Sequence, residues 1–159
     1  NATGAGLSAL FPRPAYQDQV SGVVGDHRGV ADVSMDCAMW VYALIPHDPQ
    51  APGWFSVCGS SPAAPMFAGI AALADQQAGH RLGPLNPLLY RLRGSRDGLL
   101  DITEGNDTDD GVRGYAARPG YDLASGVGTV GSAPAFTAAL ARLAAPGGPS
   151  PRPASRRSR

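Results

Sequence analysis

The residue pattern predicts an α/β fold. Short β-branched and aromatic runs of strand length lie between Ser21 and Val57. One long apolar stretch with helix start and stop signals follows at once, over Pro62 to Ala78. The rest is loop-rich, with two shorter helical patterns. Strands, then a buried helix, then a segment of loops and short helices fit α/β better than all-α. The 159 residues, 43% of them hydrophobic, suffice for one domain with a real core.

Taken in order, Leu7 to Tyr16 contains Phe11-Pro12-Arg13-Pro14 and is expected to be loop, because two prolines exclude a helix interior. Ser21 to Val24 and Val30 to Val33 are expected strands around the turn Gly25 to Gly29. Met39 to Ile45 and Trp54 to Val57 are expected to form a hairpin with a long loop between them. In Pro62 to Ala78, apolar residues go almost all the way round, which predicts a buried helix rather than an amphipathic one. Ser61 before it, Pro62 at its first position and Gly79 after it are the boundary signals. A second helix is expected over Pro87 to Arg93 with Asn86 as its cap, and a third over Pro134 to Ala144 with Ser132 as its cap.

The bulk properties exclude several classes. Thirteen basic residues, all arginine, balance thirteen acidic ones, which argues against a nucleic-acid surface. No stretch is long and apolar enough to span a bilayer. Residues 146–159 are expected to be a disordered Pro/Ser/Arg-rich tail, since such a composition cannot bury enough apolar surface to offset its ordering entropy. Asn1 to Gly6 has no basic flank and no apolar run, so it is not a signal peptide. It reads as the middle of a loop, as a truncated chain would begin. Cys37 and Cys58 flank the expected hairpin at its open end. Their even count suits one disulfide in an oxidising compartment; the alternative is two separate small core residues.

The segment Gly59-Ser60-Ser61-Pro62-Ala63-Ala64-Pro65 carries the chemistry. A serine among small residues sits where a strand passes into a helix. The start of a helix offers free backbone N–H groups and partial positive charge, both suited to an oxyanion. Pro62 lacks a donor that is spare at that position, and the N–H of Ser61 remains available. The bland reading is that Ser60 or Ser61 only caps a core helix.

Context favours the chemical reading. Gly-Thr-Ser-x-x-x-Pro before an apolar helix marks both subtilisins and sedolisins, and the segment here resembles it, with Ser60 in the Thr position, Ser61 as the nucleophile and Pro65 matching the Pro. Leu7 to Gln17 is similar to the sedolisin segment that runs into Phe-Pro-Arg-Pro-Ala-Tyr-Gln. Arg28-Gly29-Val30-Ala31-Asp32-Val33-Ser34 resembles Arg-Gly-Val-Pro-Asp-Val-Ser, and Leu85-Asn86-Pro87-Leu88-Leu89-Tyr90 resembles Leu-Asn-Pro-x-Leu-Tyr. Collinear over residues 4 to 143, these motifs resemble the sedolisin, or serine-carboxyl peptidase, family. Cys58 in a usual Gly position and Pro62 after the nucleophile depart from the pattern.

The resemblance implies that residues 1–145 are the C-terminal portion of a catalytic domain with a subtilisin-like parallel sheet, here incomplete. It implies a secreted serine endopeptidase with an acidic optimum. It also implies one Ca²⁺, held by the side chains of Asp101 and Asp122 and the carbonyls of Ile102, Arg118 and Gly120. Six or more oxygens, carboxylates supplemented by carbonyls, are what calcium requires. Arg118 replaces a usual Gly, which a carbonyl ligand tolerates unless the backbone needs positive φ. Asn106 to Gly111 looks like an EF-hand loop but lacks its twelfth-position glutamate, so a solvated acidic loop is expected. Asn1-Ala2-Thr3 and Asn106-Asp107-Thr108 match the short glycosylation triplet.

A neutral serine needs a base. His27, His47 and His80 lie in polar turns or at a helix end and are expected at the surface. Sedolisins use a glutamate backed by an aspartate, with a further aspartate in the oxyanion hole, all earlier in the chain. Glu104 lies in the calcium segment, and neither Asp32 nor Asp36 is assigned as base. The partners expected are therefore a protein or peptide substrate, the upstream half of the same domain and a propeptide, with no nucleic acid and no membrane. A subtilisin-like fragment and a non-catalytic calcium-binding remnant are the alternatives.

Overall fold

The structure, a computed structural model, describes residues 4–45, 47, 49 and 52–145. The expected tail over residues 146–159 and the triplet at Asn1 lie outside the described residues. Strand β1 (Gly6–Pro12) pairs antiparallel with β2 (His27–Val30), Gly6 opposite Val30 and Pro12 opposite His27. The stretch expected as loop is thus largely a strand. Its Pro12 stands at the end of the ladder, where a missing N–H costs little.

A 3-10 helix (Ala15–Val20) and one turn of α-helix, α1 (Ser21–Val24), connect the two strands. Ser21 to Val24 is therefore helical, not the expected strand. The spacing of Val20 and Val24 explains the difference: four residues apart, both side chains enter the core, and that burial outweighs β propensity. The expected strand Val30 to Val33 ends at Val30, because the chain then turns to carry Asp32 into the polar network described below.

The hairpin forms as expected. β3 (Met39–Ala43) and β4 (Gly53–Val57) pair from Met39–Val57 to Ala43–Gly53. The Cys37–Cys58 disulfide closes its open end. Helix α2 (Ser60–Ala78) follows, then α3 (Asn86–Leu92), the two-residue strands β5 (Leu99–Leu100) and β6 (Thr129–Val130), and α4 (Ala133–Ala144). β5 and β6 pair antiparallel and are too short to leave a period-2 signal. Among the described residues the named strands form three antiparallel pairs, and the one parallel contact is the bridge between Ser34 and Thr129.

Three helix expectations need correction. α2 is not buried: only Pro62 and Ala74 are, and Leu73 is 55% exposed. It is apolar all round, yet its main cover is α4, where Ala74 is sealed and Phe67 stacks at 6.2 Å from Phe136. Asn86 does not cap α3; its amide donates to Asp32 instead, at 2.7 Å. Ser132 precedes α4 without a side-chain cap, its carbonyl accepting from Phe136 N at 2.9 Å.

The core lies where α3, α4, the 3-10 helix, α1 and the loop 121–127 meet, around Leu89, Tyr90, Tyr121, Phe136 and Leu140. A polar network crosses it. Gln17 is fully buried; its amide nitrogen donates to the Gly29 carbonyl at 2.9 Å and to the Tyr90 hydroxyl at 2.6 Å, and its oxygen accepts from Gly29 N at 2.9 Å. Tyr90 in turn donates to Asp32 Oδ1 at 2.9 Å, and Arg28 pairs with Asp32 Oδ2. Gly29 must be glycine, since a Cβ there would lie 2.5 Å from Val24 Cγ1 and 2.6 Å from the Tyr121 hydroxyl.

Burial pushes the Tyr90 phenol well above its usual range and the Tyr121 phenol up to about 12. An unfolded tyrosine ionises near 10. The stability linked to the neutral phenols is therefore complete below about pH 10 and is lost as pH rises from there through about 12. Thermal melting should fall steeply over that interval. Tyr121→Phe should cost about 1 kcal/mol at pH 7, from its lost hydrogen bond to the Ala31 carbonyl, and should flatten the alkaline decline.

Candidate active site

β4 delivers the chain to Cys58, and Gly59 turns it into α2 with φ 117° and ψ −173°, a conformation essentially confined to glycine. Ser60 and Ser61 then form the first turn. The first intrahelical bond is Ala63 N to Gly59 O, at 3.4 Å. No side chain caps this end, so the N–H groups of Ser60 and Ser61 are not consumed by a cap. Pro62 has no N–H, and Pro65, inside the helix, cannot donate to the Ser61 carbonyl. Ser61 is exposed, with no hydrogen bond to its hydroxyl among the described residues. A cap would turn its oxygen back to the helix, so the bland reading of Ser61 fails on geometry.

A cleft of about 450 Å³ opens beside this corner, lined by Gly59, Ser60 and Ala63, by both half-cystines and by Asn106 to Thr108. No described residue is placed as a base for Ser61. His27, His47 and His80 are exposed, and the rings of His27 and His80 contact the carbonyls of Ser8 and Arg81 at 3.0 Å. Asp32 is committed to Arg28, Asn86 and Tyr90. Asp36 accepts from Ala38 N at 3.2 Å, and Glu104 is exposed.

The second constellation is brought together in part. Asp101 Oδ2 accepts from Gly120 N at 2.8 Å, and Asp122 Oδ2 accepts from Arg118 N at 2.9 Å. Both carboxylates therefore face one turn, residues 118–122. Asp122 is buried and also accepts from Ser125 N at 2.7 Å. Gly120 has φ 89°, whereas Arg118 is not at positive φ, so its side chain is no obstacle to a carbonyl ligand. Two carboxylates and the carbonyls of Ile102, Arg118 and Gly120 are an all-oxygen set of the kind calcium takes. Arg93 approaches the same turn, its Nη1 3.6 Å from where a Gly120 Cβ would be, and that positive charge lowers the attraction for a cation. Asn106 to Gly111 folds as a polar turn, with an Asp109–Val112 bridge and Asp107 Oδ1 accepting from Tyr115 N. Among the described residues no three His, Cys, Asp or Glu side chains group as a metal cluster.

A serine on the first turn of a helix, behind a glycine in a glycine-only conformation just after a strand, defines a class of α/β protein with an exposed hydroxyl at a strand-to-helix corner. Comparison with known proteins narrows the class. Kumamolisin of Bacillus sp. (strain MN-32) is 36% identical over 137 residues, covering 80% of this chain and 24% of that protein. Tripeptidyl-peptidase 1 of Mus musculus is 32% identical over 172 residues, covering 91% of this chain and 28% of that protein. The structure of Pseudomonas sedolisin (serine-carboxyl proteinase), complexed with two molecules of pseudo-iodotyrostatin, superimposes with a TM-score of 0.70 at 26% identity over 88% of this chain and 36% of that one. No protein-family model matches. The chain is related to the sedolisin family of serine-carboxyl peptidases and shares its α/β fold. It spans about a quarter of the length of the curated relatives it matches.

The backbone at Gly59 gives a direct test. Gly59→Ala meets no clash within ordinary contact distance, the nearest atom being Ser61 N at 4.0 Å, so its whole effect should be conformational. A loss of about 1–3 kcal/mol in denaturant unfolding is expected, with the start of α2 displaced. An unchanged midpoint would mean that the glycine conformation is not required.

Proposed function

We propose that the chain is the C-terminal portion of the catalytic domain of a secreted serine-carboxyl endopeptidase, in which Ser61 is the nucleophile. The observation that carries this is the exposed Ser61 hydroxyl behind Gly59 in a chain related to sedolisins. The substrate is a protein or peptide. Ser61 Oγ attacks the scissile carbonyl, and its proton passes to a glutamate of the upstream half of the same domain. The oxyanion is met by backbone N–H of the first turn, where that of Ser61 is the donor this chain offers, and by an upstream aspartate. The amine leaves, and water hydrolyses the acyl-enzyme. A carboxylate base paired with a second carboxyl works near carboxyl pKa values, so activity peaks at acidic pH.

The upstream half also accounts for surface that is open here. Trp40, Tyr42 and Trp54 on the hairpin, Leu10 and Phe11 on β1 and Leu73 on α2 are all exposed. A further layer of the domain packed on these faces would cover them. The disulfide supports an oxidising, extracellular destination. A propeptide is a further partner of the intact protein. In this reading Asp101, Ile102, Arg118, Gly120 and Asp122 hold one Ca²⁺, which fastens the 101–102 and 118–122 segments and takes no part in the chemistry.

In the intact protein, Ser61→Ala should lower peptide hydrolysis by at least about a thousandfold and leave the melting temperature within a few degrees of the parent. Residues 1–159 alone should not turn over a denatured protein substrate. Hydrolysis unaffected by Ser61→Ala would reject the nucleophile, and no hydrolysis by the intact protein would leave the calcium-binding remnant.

Calcium is tested separately from activity. Chelation should lower the melting temperature of the intact protein, because the ion binds only the folded state, and saturation at a hundred times Kd is worth about 2.7 kcal/mol. Asp122→Ala should abolish that calcium dependence, whatever it does to the metal-free protein. A dependence that survives the substitution would place the ion elsewhere.

A further inference from the structure

The cleft beside the start of α2 has a feature the proposed reaction does not use. Its volume, about 450 Å³, falls in the range of small-ligand sites, about 300–1,000 Å³. Ser60, one of its lining residues, is one peptide unit, about 3.8 Å of backbone, from Ser61. Ser61 itself does not line the cleft, but a peptide held for attack by it lies within one side chain's reach of the Ser60 wall. The lining is small, apolar or neutral except at one place: Asp107 is its only charged residue among those described.

Asp107 is held rigidly. Its N–H donates to the Tyr115 carbonyl at 3.1 Å, and its Oδ1 accepts from Tyr115 N. Gly114 packs so closely that a Cβ there would lie 2.2 Å from that oxygen and 2.5 Å from the Asp107 carbonyl carbon. The carboxylate is thus fixed through one oxygen, and the other has no partner among the described residues. None of the described arginines pairs with it. A half-buried carboxylate with no counter-charge among the described residues, on the wall of a cleft, is complementary to a cation.

We infer that this cleft is a substrate subsite next to the scissile bond and that Asp107 selects a basic side chain, lysine or arginine, at the position it receives. The inference rests on Ser61 being the nucleophile. It concerns which peptides are cleaved, and Asp107 takes no part in bond breaking.

The test uses the intact protein and peptides that differ only in carrying lysine or norleucine at each position flanking the cleaved bond. At one position kcat/KM should favour lysine by about tenfold, the scale of one charge pair in a partly solvated site. Asp107→Asn keeps an oxygen for Tyr115 N and should bring that ratio close to one, and Asp107→Lys should bring it below one, in favour of norleucine. Raising salt from 50 mM to 1 M should shrink the parent's ratio, a readout that does not depend on any variant folding. A ratio near one at every position in the parent overturns the inference, as does one that neither salt nor Asp107→Asn changes. If the peptides are not hydrolysed at all, or hydrolysis survives Ser61→Ala, it is the nucleophile assignment that fails.

Discussion

The fold hangs on one carboxylate. Asp32 receives the guanidinium of Arg28, the amide of Asn86 and the hydroxyl of Tyr90, and its carbonyl accepts from Val127 N at 2.9 Å. These partners come from β2, α3 and the loop before β6, which are far apart in sequence. Gln17 extends the same network to the 3-10 helix through Gly29 and Tyr90. Buried polar groups left unpaired are costly, so each member fixes the others. Segments around residues 17–32, 86–90 and 127 are thereby locked into one core although the strands β3 and β4 between them pair only locally. Burial works against the charge on Arg28, but Asp32 outweighs it and holds the guanidinium protonated.

From that core the chain departs twice into structure with little cover. The hairpin β3–β4 stands out with aromatic residues on its surface, and α2 returns with apolar residues on every side. The Ser61 corner joins these two elements. Its geometry is set by local covalent means: a glycine with φ 117°, two prolines that subtract donors, and a disulfide at the preceding strand end. The corner thus keeps its shape without being deeply packed. The opposite holds at residues 118–122, where the turn is shaped by two carboxylates that accept from its N–H groups, Asp101 from a separate segment and Asp122 from the turn's own end.

Much of this was legible in the sequence. The hairpin, the long helix, the helix starts near Pro87 and Pro134 and the pairing of Cys37 with Cys58 follow from period, proline position and cysteine placement. What escaped was decided by tertiary contact. Val20 and Val24 have strand propensity, but both fit the core only as a helical pair. Asn86 has the identity of a cap, but a charged acceptor, Asp32, draws its amide away. Gln17 carries no local signal of burial at all. At the candidate site, Ser61, Asp101 and Asp122 are singled out by the resemblance to sedolisin motifs, on segments of small residues and turn chemistry. Asp107 lies in an acidic loop that reads as solvated until the cleft beside it is seen.

The hairpin has one more consequence. The chain's only two tryptophans, Trp40 and Trp54, both stand on it, 68% and 66% exposed, with the Tyr42 ring edge-on to Trp54 at 5.5 Å. None lies in the core around Phe136 and Leu140. Intrinsic indole fluorescence is therefore a local optical probe of the hairpin surface, blind to the packing that holds the domain. Its emission wavelength reports whether another layer of protein has displaced water from those rings, so assembly of the hairpin with its covering surface can be followed by colour alone.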